Sequence, residues 1–213
     1  MAGFKYCGSA QAKATVTAAV VWLAVVLTGS FLMAQYSQTA GSSGAPPAQW
    51  PETSQVSLDL ARSKLVMFLH PRCPCSRATL GELERLMANC QGLLSAQVLF
   101  IQPEGVSENW VQTDLWRTAA AIPGVTVSVD LEGLEARRFQ AATSGQTLVY
   151  DVHGGLMFQG GITLARGHAG DNPGRDAIES LLKQKNTLST TAPVFGCALG
   201  WKKNPEECTA CQP

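Results

Sequence analysis

The longest uninterrupted apolar stretch of the chain lies close to its N-terminus, at residues 14–34, and it contains no charged side chain. A helix rises about 1.5 Å per residue, so this stretch is long enough to span the roughly 30 Å hydrocarbon core of a bilayer. A cleaved secretory signal usually has an apolar region of only about 7–15 residues, followed by a small-x-small cleavage site. Because Leu32-Met33-Ala34 is a poor cleavage site, the pattern favours a retained membrane anchor.

Charges on either side of this anchor predict its orientation. Lys5 and Lys13 precede it, and the next basic residue after it is Arg62. Basic residues that flank a membrane span tend to remain in the cytoplasm. We therefore expect a cytoplasmic N-terminus at residues 1–13, with Cys7 as a free thiol there. In a bacterium, this describes a single-pass protein of the inner membrane with its domain in the periplasm.

Beyond residue 54, short apolar blocks alternate with helical patterns. The run at residues 64–69 has the length and continuous apolarity of a buried strand, and apolar residues between positions 80 and 87 recur at the spacing of one helix face. On the same grounds we predict strands at 64–69, 97–101, 125–129, 147–152 and 156–158, and helices at 76–90, 108–121, 131–142 and 176–185. The last two strands form a hairpin with His153 in its turn, and Asp171 and Asn172 are expected turn or cap residues.

This alternation predicts an α/β fold with a largely parallel sheet and helices on both faces. The hairpin adds an antiparallel strand, so the sheet is mixed. Residues 35–53 are mostly small polar residues, glycine and proline, a composition typical of a flexible linker. We place the folded domain at residues 54–190 and a cysteine-containing tail at residues 191–213.

Charge and cysteine content narrow the class of protein. The 16 basic and 16 acidic side chains give a formal net charge of zero, and no basic stretch carries interleaved aromatic residues. Nucleic acid is therefore not an expected partner. Six cysteines follow the anchor and would face an oxidising compartment, where disulfides persist. The sequence does not determine their pairing; they are Cys73, Cys75, Cys90, Cys197, Cys208 and Cys211.

The segment FLHPRCPCSR carries the strongest chemical signal, because Cys73 and Cys75 flank Pro74 where a predicted strand meets a predicted helix. A helix N-terminus stabilises a thiolate, and the thiolate is the nucleophile in disulfide exchange. Arg72 and Arg77 add positive potential. We expect Cys73 to be the nucleophile, nearest the helix N-terminus at the exposed mouth of the turn. Cys75, inside the first helical turn, is expected to be the resolving thiol. A disulfide between them would be strained, which favours oxidant or isomerase behaviour over general reduction.

The same segment supports a metal-binding alternative. His70, Cys73 and Cys75 supply one imidazole and two sulfurs, a set suited to Cu(I) or, with a fourth ligand, to Zn(II). Disulfide exchange itself requires no cofactor. A structural disulfide or a pair of buried thiols is the third interpretation of the two cysteines.

The remaining cysteines are weaker candidates. Cys90 falls at the end of a helix and is expected to be buried and inert. Cys208 and Cys211 have a Cys-x-x-Cys spacing without a second pair of the zinc-ribbon kind. A disulfide that staples the tail, drawn from Cys197, Cys208 and Cys211, is the favoured interpretation. Exchange of one tail cysteine with Cys73 stays open.

Three stretches resemble the thioredoxin superfamily, and most closely its membrane-tethered redoxins of the TlpA and AhpC/TSA type, including the RedB group. They are VMFLHPRCPCSR, VSVDLEGLEARRFQAATSGQTLVYDVHGGLMFQGGI and GGITLARGHAGDNPGR. The resemblance implies a thioredoxin-like fold and thiol-disulfide oxidoreductase activity on protein or small-molecule disulfides. It also implies a membrane or periplasmic redox partner, with Cys73 at the nucleophile position. In this fold the loop of Arg166 and His168 borders the substrate groove, so either side chain is a candidate to tune Cys73 or to contact substrate.

Two positions depart from the pattern of the superfamily. The usual motif is Cys-Pro-Pro-Cys-Arg, but here Ser76 stands at the resolving position and Cys75 comes one residue early. Gln146 stands where these proteins usually have a cis-proline. We expect the replacement of that proline by Gln146 to open space beside Cys73. Copper-delivery proteins of the Sco type share the general fold but space their paired cysteines differently.

Overall fold

The computed structural model describes residues 8–184 and 189–200. Its first element is helix α1, Gly8–Gln38, which forms a unit of its own. Residues 12–38 of α1 are long and apolar enough to cross a membrane by length and composition. The predicted anchor at residues 14–34 lies within this helix, so the expectation of one N-terminal apolar helix of membrane-spanning length is confirmed.

The second unit begins at Thr39 and is built on one five-stranded sheet. The strands are β1 (Ser63–Leu69), β2 (Leu94–Gln102), β3 (Val125–Leu131), β4 (Gln146–Tyr150) and β5 (Leu156–Gly160). The helices are α2 (Ser76–Asn89), α3 (Asp114–Ala121), α4 (Leu134–Arg138) and α5 (Pro173–Leu182). The strand order is β3-β2-β1-β4-β5, with β1, β2 and β3 parallel and β4 antiparallel to both of its neighbours. The predicted mixed sheet is therefore confirmed.

Strand β1 lies at the centre of the domain and feeds a core on each face of the sheet. Alternate side chains of a strand point to opposite faces. Leu65 and Met67 pack with apolar residues of α2, α3 and α5, whereas Val66 and Phe68 pack against α4 and the ring of Phe139. Burial of each such side chain stabilises the fold by about 1.5–3 kcal/mol. This double burial explains why the sequence of β1 is continuously apolar.

Two predicted helices are shorter in the structure than in the sequence analysis. The helix predicted at residues 108–121 is divided into a single 3-10 turn, Glu108–Trp110, and α3. Thr113 separates them, because its backbone is extended and its hydroxyl donates to the carbonyl of Pro71 at 3.0 Å. The helix predicted at residues 131–142 keeps only the five residues of α4, since Gly133 before it and Gln140 after it have left-handed backbones.

Residues 39–53 do not form the flexible linker that their composition predicts. The amide of Gly41 donates to the carbonyl of Val194 at 2.8 Å, and the amide of Trp50 donates to that of Gly154 at 2.8 Å. The Trp50 ring packs edge-on against Phe139 and Tyr150, with centroids 5.1 and 5.2 Å away. The prediction is wrong here because backbone bonds and one aromatic anchor hold a segment that has few apolar side chains.

Candidate redox site

The two motif cysteines lie in the turn that leads from the end of β1 into α2. The amide of Cys73 donates to the carbonyl of His70 at 3.1 Å, and the amide of Ser76 donates to that of Cys73 at 3.1 Å. Cys75 is the N-cap of α2 and already has a helical backbone, with φ −64° and ψ −28°. Cys75, and not Cys73 as expected, is therefore the cysteine nearest the helix N-terminus, and it caps the helix instead of lying inside its first turn.

Cys73 is fully buried, whereas Cys75 is half-buried. The expectation that Cys73 stands at the exposed mouth of the turn is wrong. Its sulfur lies against a residue from the C-terminal part of the chain, since Cys73 Sγ and Cys197 Sγ are 3.0 Å apart. The site therefore contains a third cysteine in addition to the Cys-Pro-Cys motif.

The segment that carries Cys197 is packed on the domain. The amide of Ser144 donates to the carbonyl of Cys197 at 2.8 Å, and the amide of Leu199 donates to that of Ala142 at 2.9 Å. Gly196 approaches so closely that a Cβ there would lie 1.9 Å from the carbonyl oxygen of Ser144. The domain consequently extends past the predicted boundary at residue 190. Cys208 and Cys211, the other members of the predicted tail disulfide, lie outside the described residues.

Hydrogen bonds among the three sulfurs concentrate negative charge on Cys73. Bonds from Cys197 first, and then from Cys75, lower the pKa of the Cys73 thiol far below its usual range, and the Ser76 side chain adds to this effect against the penalty of burial. Cys197 also lowers the pKa of Cys75, but the bond to Cys73, burial and the Cys73 charge outweigh it and raise that pKa. These hydrogen bonds therefore favour the thiolate at Cys73 and the protonated thiol at Cys75.

The loop between α4 and β4 makes hydrogen bonds with the Cys-Pro-Cys turn. The hydroxyl of Ser144 lies 2.9 Å from that of Ser76 and accepts a 2.9 Å bond from the amide of His70. The amide of Gly145 donates to the carbonyl of Phe68 at 2.8 Å. These bonds fix the loop between α4 and β4 against both ends of the Cys-Pro-Cys turn.

Aromatic and basic groups form the outer rim of the site. The ring of His70 packs edge-on against Trp110 at 5.5 Å, and the Arg72 guanidinium lies 5.0 Å from the centroid of the same indole, a cation–π contact. Burial, with help from Arg72, lowers the pKa of His70 although the charge of Cys73 opposes this shift. His70 is therefore a neutral imidazole at neutral pH, with Nδ1 accepting the Arg72 amide at 3.2 Å.

Gln146 has a structural role instead of opening space beside Cys73. Its side chain is fully buried, its Nε2 donates to the carbonyl of Ser43, and its Oε1 accepts the amide of Ala142 at 3.0 Å. No peptide bond in the described residues is cis. Gln146 flanks the motif only through the strand pairing of β4 with Phe68.

Other sequence candidates lie farther out. Arg77 is exposed and pairs with Asp114 of α3. Arg166 donates to the carbonyl of Gly196, whereas His168 is exposed and its amide donates to Ala165 within its own loop. Arg166 is thus the residue of that loop that contacts the cysteine-bearing tail.

Three more residues have roles in folding. His153 is exposed in the hairpin turn, where its amide donates to Asp151. Cys90 is buried, and burial raises the pKa of its thiol. Asn172 precedes α5 as its N-cap, but its buried amide donates to the carbonyl of Ile162.

The metal alternative rests on His70, Cys73 and Cys75. Within residues 8–184 and 189–200, no group of three or more His, Cys, Asp or Glu side chains is placed to hold one ion. The sulfur 3.0 Å from Cys73 Sγ belongs to Cys197, which is not a member of the ligand set predicted from the sequence. A local signal for that residue is the apolar Val194-Phe195 pair just before it, both members of which are buried.

No protein-family model matches the sequence, and no curated protein matches it. Among solved structures, a hypothetical protein from Sinorhizobium meliloti 1021 is 21% identical, with a TM-score of 0.55 over 78% of this chain and 96% of that chain. An uncharacterized conserved protein from Geobacillus kaustophilus is 18% identical, with a TM-score of 0.55 over 78% of this chain and 94% of that one. A SCO1/SenC family lipoprotein from Bacillus anthracis str. Ames is 12% identical, with a TM-score of 0.47 over 65% and 96%.

Similarity at these identities establishes the fold alone. The chain has a thioredoxin-like fold preceded by an apolar N-terminal helix, so the expected fold is confirmed. This fold carries a cluster of cysteines at the start of its first domain helix.

Proposed function

We propose that the protein is a membrane-tethered, extracytoplasmic thiol-disulfide oxidoreductase, a redoxin of the TlpA and AhpC/TSA type, in which Cys73 is the attacking thiolate. The convergence of further cysteine sulfurs on Cys73 carries this proposal. Disulfide exchange needs an attacking thiolate and a second thiol that resolves the mixed disulfide. The Cys-Pro-Cys turn and its surroundings provide both groups within one small volume.

The charge distribution supports Cys73 as the nucleophile. The nucleophile in exchange is a thiolate, and the hydrogen bonds from Cys197 and Cys75 lower the pKa of Cys73. The raised pKa of Cys75 keeps a proton available at the same place. Arg72 and Arg77 are exposed beside the motif and provide positive potential for incoming disulfides of proteins or small molecules.

The reaction needs no metal or organic cofactor. Electrons would pass between the substrate, the cysteines and a membrane or periplasmic redox partner. Copper or zinc transfer is the alternative function, since His70 and the motif sulfurs are soft ligands. The experiment that tests the proposal is therefore designed to distinguish exchange from metal binding.

We expect one pair of thiols per chain, including Cys73, to oxidise reversibly. The full-length protein in detergent micelles is equilibrated with glutathione buffers of graded potential, and the remaining thiols are counted by mass after alkylation. Cys90→Ser is the matched control, because Cys90 is buried on the other end of α2, and it should leave this transition unchanged. A chain in which Cys73 never joins a reversible pair contradicts the proposal. Stoichiometric copper or zinc that is lost on alkylation would instead support metal transfer.

The extracytoplasmic location is tested by reporter fusions. Because the basic residues lie before the anchor, alkaline phosphatase fused after residue 60 is expected to be active in a bacterial host. The same position fused to a reporter that works only in the cytoplasm serves as the control and should be silent. An inactive phosphatase together with an active cytoplasmic reporter would reverse the orientation.

A further inference from the structure

The tail segment of residues 194–199 places a third sulfur in contact with the expected nucleophile. Cys197 Sγ lies 3.0 Å from Cys73 Sγ, although the two residues are 124 positions apart in the chain. We propose that Cys197 is the resolving cysteine of this site, and that the working disulfide joins Cys73 to Cys197. The inference rests on the proposed function, since a resolving thiol has a role only where Cys73 undergoes exchange.

The contact between the two sulfurs is built into the backbone. The tail runs antiparallel to the loop before β4, with Thr143 paired to Ala198. The bonds from Ser144 to Cys197 and from Leu199 to Ala142 lie on either side of this pair. Gly196 has no room for a side chain against Ser144, so glycine at this position allows the close approach. Backbone contacts with the three loop residues 142–144 therefore hold Cys197 in position beside Cys73.

Cys197 is better placed than Cys75 to form a disulfide with Cys73. Only Pro74 separates the motif cysteines, and its ring restricts the backbone between them. Disulfides require a Cα separation of about 4.4–6.8 Å and a defined torsion. A turn can bring residues two apart to that separation, but the small ring closed around Pro74 leaves the disulfide little freedom to reach its preferred torsion. Cys75 is also held as the helical N-cap of α2. Cys197 belongs to an independent segment and meets Cys73 without any constraint from a small ring.

The exchange can be written with its atoms and electrons in balance. The Cys73 thiolate attacks one sulfur of a substrate disulfide, the substrate S–S bond breaks, and a mixed disulfide forms while a substrate thiolate leaves. Cys197 transfers its proton to that thiolate and attacks the Cys73 sulfur. The mixed disulfide breaks, the second substrate thiolate leaves, and the Cys73–Cys197 bond forms. The substrate disulfide has gained two electrons and the cysteine pair has lost two.

Burial of Cys73 implies that the tail segment of residues 194–199 also controls substrate access to the nucleophile. Cys73 has no exposed surface, and Cys197 of the segment 194–199 is in contact with its sulfur. A substrate disulfide therefore reaches Cys73 when the segment moves away. Its return brings Cys197 back to the mixed disulfide, so that access and resolution are linked through one short stretch of chain.

Tryptic mapping of the oxidised full-length protein tests this assignment. Cleavage after lysine and arginine places Cys73 and Cys75 on peptide 73–77, Cys197 on peptide 186–202, and Cys208 with Cys211 on peptide 204–213. The protein is oxidised in a glutathione buffer, its free thiols are blocked at acidic pH, and the digest is sequenced by mass spectrometry. We expect peptide 73–77 joined to peptide 186–202 through Cys73, with the blocking group on Cys75.

The other possible outcomes contradict either the role of Cys197 alone or the proposed function as well. An unlinked peptide 73–77 that is two hydrogens lighter would show a Cys73–Cys75 disulfide. A link from peptide 73–77 through Cys75 would show a different pairing. Both results overturn the role of Cys197 and leave the proposed function standing. Peptide 186–202 joined to 204–213 would make Cys197 part of a tail staple and has the same consequence. Cys73 that stays reduced at every potential overturns the proposed function as well.

Substitution of the tail cysteine gives a second, kinetic readout. Cys197→Ser is expected to accumulate the mixed disulfide of Cys73 with glutathione, because the remaining neighbour, Cys75, would have to close a small strained ring to resolve it. Cys75→Ser keeps Cys197 and should therefore still resolve that adduct without accumulating it, although the loss of its bond to Cys73 can change the rate. Cys90→Ser serves as the control for loss of a buried thiol. Accumulation in Cys75→Ser but not in Cys197→Ser would return the resolving role to Cys75.

Discussion

Replacing Cys73 with serine is expected to reduce exchange with glutathione disulfide to the rate of the buffer, a loss of at least about a hundredfold. The reason is that a serine hydroxyl stays protonated at neutral pH, whereas the Cys73 thiol has a strongly lowered pKa. The rate is measured by rapid mixing of the reduced full-length protein with glutathione disulfide. Cys90→Ser should keep the wild-type rate. A Cys73→Ser protein with the wild-type rate would assign the reaction to another thiol pair, such as Cys208 and Cys211.

The pH dependence of the same rate follows from the direction of the shift. Because the pKa of Cys73 is lowered, its thiolate stays populated as the pH falls below the ordinary thiol value of about 8.5. An ordinary thiol would lose about tenfold in rate for each pH unit below its pKa. Ser76→Ala removes one of the bonds to Cys73, so its rate should begin to fall at a higher pH. Ser144→Ala removes the hydrogen bond between the Ser76 and Ser144 hydroxyls but keeps the Ser76 side chain. It should therefore shift the dependence of rate on pH less than Ser76→Ala does.

Local patterns were sufficient to predict the central elements of the domain. The apolar run at residues 64–69 and the helical spacing after Ser76 depend on burial against the sheet, and they correspond to β1 and α2 almost residue by residue. The position of Cys73 and Cys75 between them follows directly. Helix ends at polar caps and at residues with a left-handed backbone give a weaker sequence pattern. The helices predicted at residues 108–121 and 131–142 are therefore longer than the observed α3 and α4.

The third cysteine of the site was not predictable by the same means. Contact between Cys73 and Cys197 depends on a backbone pairing between two irregular segments, which leaves no periodicity in the sequence. Six cysteines have many possible pairings, and spacing along the chain does not choose among them. A signal was present in the buried Val194-Phe195 pair and in Gly196, which together mark a segment that packs.

Residues 39–53 are a second place where the sequence pattern does not predict the tertiary contacts. Their glycines, serines and prolines are typical of a mobile chain. In the structure they allow close approach, because a Cβ at Gly44 would meet the carbonyl of Gln140 at 1.8 Å. The hydroxyl of Tyr150 donates to the carbonyl of Pro47 at 3.0 Å, which adds a further attachment. Composition predicted mobility, but specific backbone contacts determined the outcome.

A buried ion pair on α2 was also invisible in the sequence, and it leads to the largest expected effect on stability. The Glu82 carboxylate is fully buried and lies 2.5 Å from Nη1 of Arg175 on α5. Its other oxygen lies 2.7 Å from Nη1 of Arg85 and accepts the amide of Gly170 at 3.0 Å. Gly170 belongs to the loop whose Arg166 contacts the tail, so Glu82 connects the helix of the motif to the segment that holds Cys197.

Arg175→Met is expected to lower the free energy of unfolding by about 3 kcal/mol, because it leaves a fully buried carboxylate without the partly buried guanidinium that pairs with it. Arg85 still pairs with one oxygen, which keeps the cost near the lower end of the usual range of about 3–5 kcal/mol. The measurement is urea unfolding of the full-length protein in detergent, followed by tryptophan fluorescence. Lys183→Met is the matched control: it breaks a more exposed pair with Glu179 on the same helix and should cost less than about 1 kcal/mol.

The double variant Glu82→Met with Arg175→Met separates loss of the charge pair from loss of packing. Removal of both charges leaves apolar side chains in a buried space, and this is often neutral or stabilising compared with a broken pair. We therefore expect the double variant to recover most of the stability that Arg175→Met loses. If the double variant is as unstable as the sum of the two single variants, the two side chains are not coupled. The stabilising role would then belong to the bonds that Glu82 makes with Arg85 and Gly170.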